Sequence, residues 1–186
     1  IPAFERFYSD TNSDAYDGGQ LLFGELNCTS CHAIDKSFNG SIIPKQAPIL
    51  DDVGKRVRID YLRKFIANPQ AVKSGSTMPT LFAGRSADQT EQQVEALVHF
   101  LAASGTVTEE KIDPRAVGRG DSLFHRVGCV ACHTPRKGDQ NSLPPHSVPL
   151  GDLAVKYTIP SLTQFLQNPH QVRPSGRMPS LNLKGN

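Results

Sequence analysis

The sequence predicts an all-α chain built from a unit that occurs twice, and three observations lead there. Apolar residues recur at helical spacing, most clearly over 88–103, where Val94, Leu97, Val98 and Leu101 fall at i, i+3, i+4 and i+7. No segment alternates apolar and polar residues as a half-buried strand does. The pattern Cys-x-x-Cys-His occurs twice, at Cys28-Thr29-Ser30-Cys31-His32 and Cys129-Val130-Ala131-Cys132-His133, and uses all 4 cysteines of the 186-residue chain. That length allows one large domain or two small ones. With 38% hydrophobic and 20% charged residues the composition is that of a folded chain, despite 15 Gly and 14 Pro. A net charge of +2 gives no electrostatic footprint for nucleic acid.

The elements follow in order. Residues 13–26 read as a helix entering the first Cys-x-x-Cys-His. Its counterpart enters the second over 114–127, with Asp113-Pro114 supplying a cap and a first-turn proline. Over 59–67, Leu62, Phe65 and Ile66 share one helical face. Asn68-Pro69 ends that helix, because the residue before proline avoids the α region. Ile159 to Gln167 repeats the arrangement. The amphipathic segment 88–103 closes the first unit, residues 106–112 read as a linker, and the stretches 38–48 and 134–149 carry the Gly, Pro, Asn and Ser of loops. This divides the chain into units 1–106, with an aromatic amino-terminal arm at 1–12, and 107–186.

The repeat extends well beyond the cysteines. Gly19-x-x-x-Phe23 matches Gly120-x-x-x-Phe124 at an offset of 101, as do Ala47-Pro48-Ile49 and Val148-Pro149-Leu150, and Lys55 and Lys156. One deletion later the offset is 100, pairing Leu62-x-x-Phe65-x-x-Asn68-Pro69 with Leu162-x-x-Phe165-x-x-Asn168-Pro169, and Met78-Pro79-x-Leu81 with Met178-Pro179-x-Leu181. Met78 and Met178 are the only 2 methionines of the chain, which is not how packing methionines distribute.

Cys-x-x-Cys pairs serve disulfides, zinc sites or covalent haem attachment. A disulfide framework is not needed by a chain of this size. A four-cysteine zinc ribbon sets its pairs roughly 15–20 residues apart and leaves both histidines unexplained. Haem attachment uses all five positions of each motif, two thiols as thioethers and the histidine as an iron ligand.

These residues resemble the class I c-type cytochromes, here as a tandem two-haem chain. The resemblance implies two haem c groups, with iron ligands His32 and Met78 in the first unit and His133 and Met178 in the second. It also implies that the carbonyls of Pro48 and Pro149 hold the ligating imidazoles, and that a final helix crosses the helix before the motif, so that Gly19 and Phe23 meet Leu97 to Leu101. Ala47 and Val148 stand where the family usually has glycine. Only eight residues follow Met178, so the second unit lacks the counterpart of 88–103. Leu123, Phe124 and Val127 then need other cover, for which the arm with Phe4, Phe7 and Tyr8 is a candidate, and a wetter second haem would have the lower potential.

Saturated His/Met coordination implies electron transfer rather than catalysis, with a redox donor and acceptor as partners. Two alternatives stand beside it: a di-haem peroxidase-type enzyme, whose working iron needs an open position, and a relay domain of a larger oxidoreductase. Lys55, Arg56 and Arg58 are candidates for haem propionates. His99, His125, His146 and His170 have no match in the other unit and read as packing or surface residues. The chain has no transmembrane stretch, and its start at Ile1 rather than an initiator Met or a signal peptide reads as a processed chain or a fragment. Haem c chemistry implies an exported, in bacteria periplasmic, location.

Overall fold

Helices in the computed structural model follow one another in the same order in each half of the chain; the structure describes residues 8, 14–38, 40–133, 147, 148 and 150–183. In the first half α1 spans Ala15–Glu25, α2 Val53–Arg56, α3 Ile59–Ala67, α4 Pro69–Val72 and α5 Ala87–Ala102. In the second, α6 spans Pro114–Arg126, α7 Leu153–Lys156, α8 Ile159–Gln167 and α9 Pro169–Val172. Single 3₁₀ turns lie at Cys28–Ser30, Lys36–Phe38 and Cys129–Ala131, and there is no strand among the described residues.

The expected helices are present, and their ends follow local chemistry. Ser86 starts α5 with a capping box, its hydroxyl accepting from Gln89 N at 3.2 Å while Gln89 Oε1 accepts from Ser86 N. Asp113 caps α6 by accepting from Arg115 N at 2.9 Å, with Pro114 in the first turn. Helix α3 ends at Ala67, as expected before Pro69. The prolines do more than stop the chain. Pro69 and Pro169 each open a further one-turn helix, where a missing N–H costs nothing.

The core sits in the first half, where α3 packs on α5 through Leu62, Ile66, Val94 and Val98, with Val57, Phe82 and Leu101 against its rim. Helix α2 also lies on α5, and the approach is close. A Cβ on Gly54 would stand 2.5 Å from Gly105 O and 2.6 Å from Ala102 O, and Gly54 N donates to Ser104 Oγ at 2.9 Å. Because α2 and α7 start at Val53 and Leu153 on the caps Asp52 and Asp152, the matching position of the second half is Ala154, which is exposed, and Lys156 corresponds to Arg56 rather than to Lys55. Helix α6 contains no buried residue and packs on the 3₁₀ turn of its own motif; Leu123 is 48% exposed. Phe4 and Phe7 of the arm lie outside the described residues.

The crossing implied by the family resemblance is not formed as expected. A Cβ on Gly19 would meet nothing within 4 Å, and Leu97 is 40% exposed. The tight glycine of α1 is Gly24, whose Cβ would fall 2.7 Å from Ile43 O, so α1 is seated against the loop that follows its own motif.

The halves join reciprocally: α2 packs on α8 and α3 on α7. Backbone hydrogen bonds from Arg58 N to Lys156 O (3.0 Å) and from Ile49 N to Val172 O (2.9 Å) span the seam. Gln46 N donates to Ser175 Oγ at 2.8 Å, and Arg177 pairs with Glu25 at 3.4 Å.

Candidate functional site

Each Cys-x-x-Cys-His begins at a left-handed residue that ends the preceding helix, Asn27 with φ 58° after α1 and Gly128 with φ 91° after α6. Asparagine and glycine are the residues that tolerate this conformation. Asn27 and Gly128 stand at the same offset of 101 as the motifs, a pair the sequence does not single out because its role shows only in the backbone. The turn that follows is the same in both copies. Cys31 N and His32 N both donate to Cys28 O at 3.2 and 2.9 Å, and Cys132 N and His133 N to Cys129 O at 3.2 and 2.8 Å. In each copy the first cysteine is half-buried and the second exposed. All four thiols are unpaired, and no three His, Cys, Asp or Glu side chains converge among the described residues. Each motif is therefore a separate site, and neither a disulfide nor a shared four-cysteine cluster forms.

His133 has the more developed setting. Its Nδ1 lies 2.9 Å from Val148 O, and Val148 N donates to Cys132 O at 2.8 Å, so the downstream loop is tied to the motif at both ends of one residue. A carbonyl only accepts, so Nδ1 carries the proton and Nε2 keeps its lone pair for a metal. The accepting carbonyl belongs to Val148, one residue before Pro149, which lies outside the described residues. In the first half Pro48 is exposed, and the ring of His32 has no such partner among the described residues.

Met78 and Met178, both half-buried, end segments with one shared framework. Lys73 N bonds Pro69 O and Ser76 N bonds Lys73 O at 2.9 and 3.1 Å; Arg173 N bonds Pro169 O and Gly176 N bonds Arg173 O at 3.0 and 2.8 Å. The first turn braces the methionine loop by side chains of different type. Gln70 Nε2 donates to Ser76 O at 2.6 Å and Met78 O at 3.0 Å, while His170 Nε2 lies 3.1 Å from Gly176 O. His170, unmatched as a histidine, thus takes the place of Gln70.

Beside the first motif, Tyr16, Gly19 and Phe23 of α1 and Ile34, Phe38 and Ile42 of the following loop line an apolar cleft of about 380 Å³. Two accessible thiols, an adjacent imidazole, a downstream thioether and apolar walls are the donor set and surface that haem c requires.

Residues 16–104 match the cytochrome c family. The matched stretch holds Cys28, Cys31, His32 and Met78, and it supports a class I c-type cytochrome and electron transfer by haem c. The helical, strand-free architecture among the described residues is consistent with the cytochrome c fold. Over 108 residues, 54% of the chain, it is 26% identical to cytochrome c oxidase subunit 2 of Bacillus subtilis (strain 168), covering 30% of that protein. Over 91 residues, 45% of the chain, it is 32% identical to cytochrome c oxidase subunit 2 of Bacillus sp. (strain PS3), covering 24% of that protein. The chain thus spans less than a third of the length of these relatives. No solved structure is significantly similar. Among the described residues no helix is long and apolar enough to cross a membrane.

The cations expected at haem propionates are largely engaged elsewhere. Lys55 pairs with Asp52 at 2.7 Å, Arg58 with Glu109, and Arg56 Nη2 donates to Ile49 O and Asp51 O at 2.7 and 2.8 Å. The pairing with Lys55 holds the Asp52 carboxyl below its ordinary range.

Proposed function

We propose that the chain carries two haem c groups in tandem cytochrome c units, 1–106 and 107–186, and passes electrons through them without catalysing a reaction of its own. Cys28 with Cys31, and Cys129 with Cys132, would attach the two haems, and His32 with Met78, and His133 with Met178, would ligate their irons. One observation carries the reading. The motif turn and the methionine segment are each built twice with the same hydrogen bonds on sequences that otherwise differ. A packing methionine gives no reason for that duplication.

Haem c, when bound, supplies a one-electron iron couple. The chain's own residues do the rest. Val148 fixes the His133 tautomer, the short turns after Pro69 and Pro169 hold the two methionine segments, and the cleft beside the first motif offers apolar walls. The similarity to cytochrome c oxidase subunit 2 supports the relay form of this reading, in which the unit serves a larger exported oxidoreductase and exchanges electrons with redox partners.

The test is optical. The holoprotein should contain two haems per chain, low-spin in both oxidation states and slow to bind carbon monoxide. Met78→Ala and Met178→Ala should each open one haem to carbon monoxide and leave the other closed. A high-spin, rapidly reacting haem in the unmodified protein would favour the peroxidase-type alternative, and fewer than two haems per chain would end the tandem reading.

A further inference from the structure

The methionine segment of the second half is held in part by the first half. Gln70 braces the first segment at two carbonyls, Ser76 O and Met78 O, whereas its counterpart His170 meets Gly176 O alone among the described residues. The second segment has three contacts across the seam instead. Val172 O accepts from Ile49 N at 2.9 Å, Ser175 Oγ accepts from Gln46 N at 2.8 Å, and Arg177, the residue before Met178, pairs with Glu25 at 3.4 Å. The side-chain contacts have no mirror image, because Gly75, Thr77 and Arg126 stand where Ser175, Arg177 and Glu25 would be matched. The loop after the first motif is also turned differently from its counterpart. Val148 closes on its own motif through His133 and Cys132, while the neighbours of the matching Ala47, Gln46 and Ile49, direct their N–H groups to the other half.

Glu25 is the anchor of this arrangement. It ends α1, three residues before Cys28, and its side chain is 15% exposed. It meets Lys45 as well as Arg177, so one carboxylate draws together the end of α1, the loop after the first motif and the residue next to Met178. A carboxylate so shielded from water holds its cations more firmly than an exposed one, and its removal leaves Lys45 and Arg177 without their acid. We propose that Glu25 and Arg177, with the Gln46 to Ile49 stretch, are positioning residues for Met178, so that the sulfur offered to the second iron is kept in place from the first half. This rests on the two-haem, His/Met reading. The residues act through the backbone of 172–178: a local opening of that segment withdraws the sulfur, and each contact across the seam makes the opening rarer.

The experiment mixes the reduced two-haem holoprotein with carbon monoxide, which enters a six-coordinate haem only when its sulfur leaves. Glu25→Gln and Arg177→Gln should each speed carbon monoxide binding to one haem about three- to tenfold at low ionic strength. Arg177→Lys should keep the unmodified rate, because a single contact at 3.4 Å needs the charge and not the guanidinium fork. Arg177 is 49% exposed, so its variants carry the test should Glu25→Gln fail to fold. Two backgrounds identify the haem. With Met78→Ala the first haem is already open, and adding Glu25→Gln should speed the remaining slow phase by the same factor; with Met178→Ala it should leave the remaining slow phase as it was. Rates unchanged in both Gln variants overturn the proposal. So does a Glu25→Gln effect seen only beside Met178→Ala, which would place its influence on the haem of its own half, and so does an Arg177→Lys rate equal to that of Arg177→Gln, which would mark a packing role. Added salt should speed the unmodified protein more than Glu25→Gln, and an equal response in the two overturns the ion-pair argument. Haem content and sulfur ligation are read on the same samples. Fewer than two haems, or no sulfur ligand in the unmodified protein, removes the proposal together with its premise, whereas two sulfur-ligated haems with unchanged rates remove it alone.

Discussion

Gly54 and Gly19 make a pair of substitutions with opposite expected signs. A methyl on Gly54 would enter to 2.5 Å of Gly105 O and 2.6 Å of Ala102 O, both backbone atoms that no rotamer change can move aside. Overpacking of this kind costs about 1–3 kcal/mol, and displacing Gly54 N from Ser104 Oγ costs about 1 kcal/mol more. Gly54→Ala should therefore lose about 2–4 kcal/mol, a fall in Tm of about 4–16 °C for a chain of this size. Gly19 lies inside α1 with no protein atom within 4 Å of its Cβ, its open side being the cleft it lines, so Gly19→Ala should gain up to about 0.5–1 kcal/mol from helix propensity, less whatever the methyl takes from a group seated in that cleft. Thermal and urea unfolding of the holoprotein, followed by far-ultraviolet circular dichroism, reads both. If Gly19→Ala proves the more damaging of the two, α5 crosses α1 at Gly19 as in the class I resemblance, and the packing argument for Gly54 is wrong.

Other expectations concern the contrast between the halves and the surface charges. Leu62→Ala should cost about 2–5 kcal/mol, since Leu62 is 7% exposed in the α3–α5 core, while the half-buried Leu162 should cost clearly less; urea midpoints compare them. The Glu95 carboxyl is held below the ordinary glutamate range, chiefly by its hydrogen bonds from Arg63. Its contribution is thus present above the unfolded-state pKa and lost as pH falls through the lower folded value; the stability gap between the unmodified chain and Glu95→Gln should close over that acid window and narrow with added salt. Because α6 has no buried residue, on the two-haem reading a haem at Cys129 and Cys132 should have the lower of two resolvable midpoints in a redox titration. Indistinguishable midpoints would count against that.

How legible the molecule was depends on the length of each feature. Helices of nine residues or more announce themselves by periodicity. The reading at 59–67 coincides with α3, and 88–103 missed α5 by one residue because Ser86, not the apolar stripe, sets its start. One-turn helices such as α4 and α9 are too short to show a period, and the proline that closes one helix also opens the next. The candidate residues Cys28, His32, Met78 and their counterparts came from the repeat, and the backbone frames them in matching ways. What the repeat hid was substitution of means: Gln70 and His170 brace equivalent loops, and the ring of His133 meets the carbonyl of Val148. Lys156 read as the match of Lys55, whereas the ends of α2 and α7 set it opposite Arg56, because the deletion between the copies falls before these helices and not after them.

The two peptide hydrogen bonds across the seam are made by main-chain atoms, which every substitution except proline preserves. If each half holds a redox centre, as proposed, side chains in either half can drift and tune it while the separation between the centres stays constant. Transfer from one to the other would then be a unimolecular hop, indifferent to protein dilution, and only the steps at the outer faces would depend on collision with a partner.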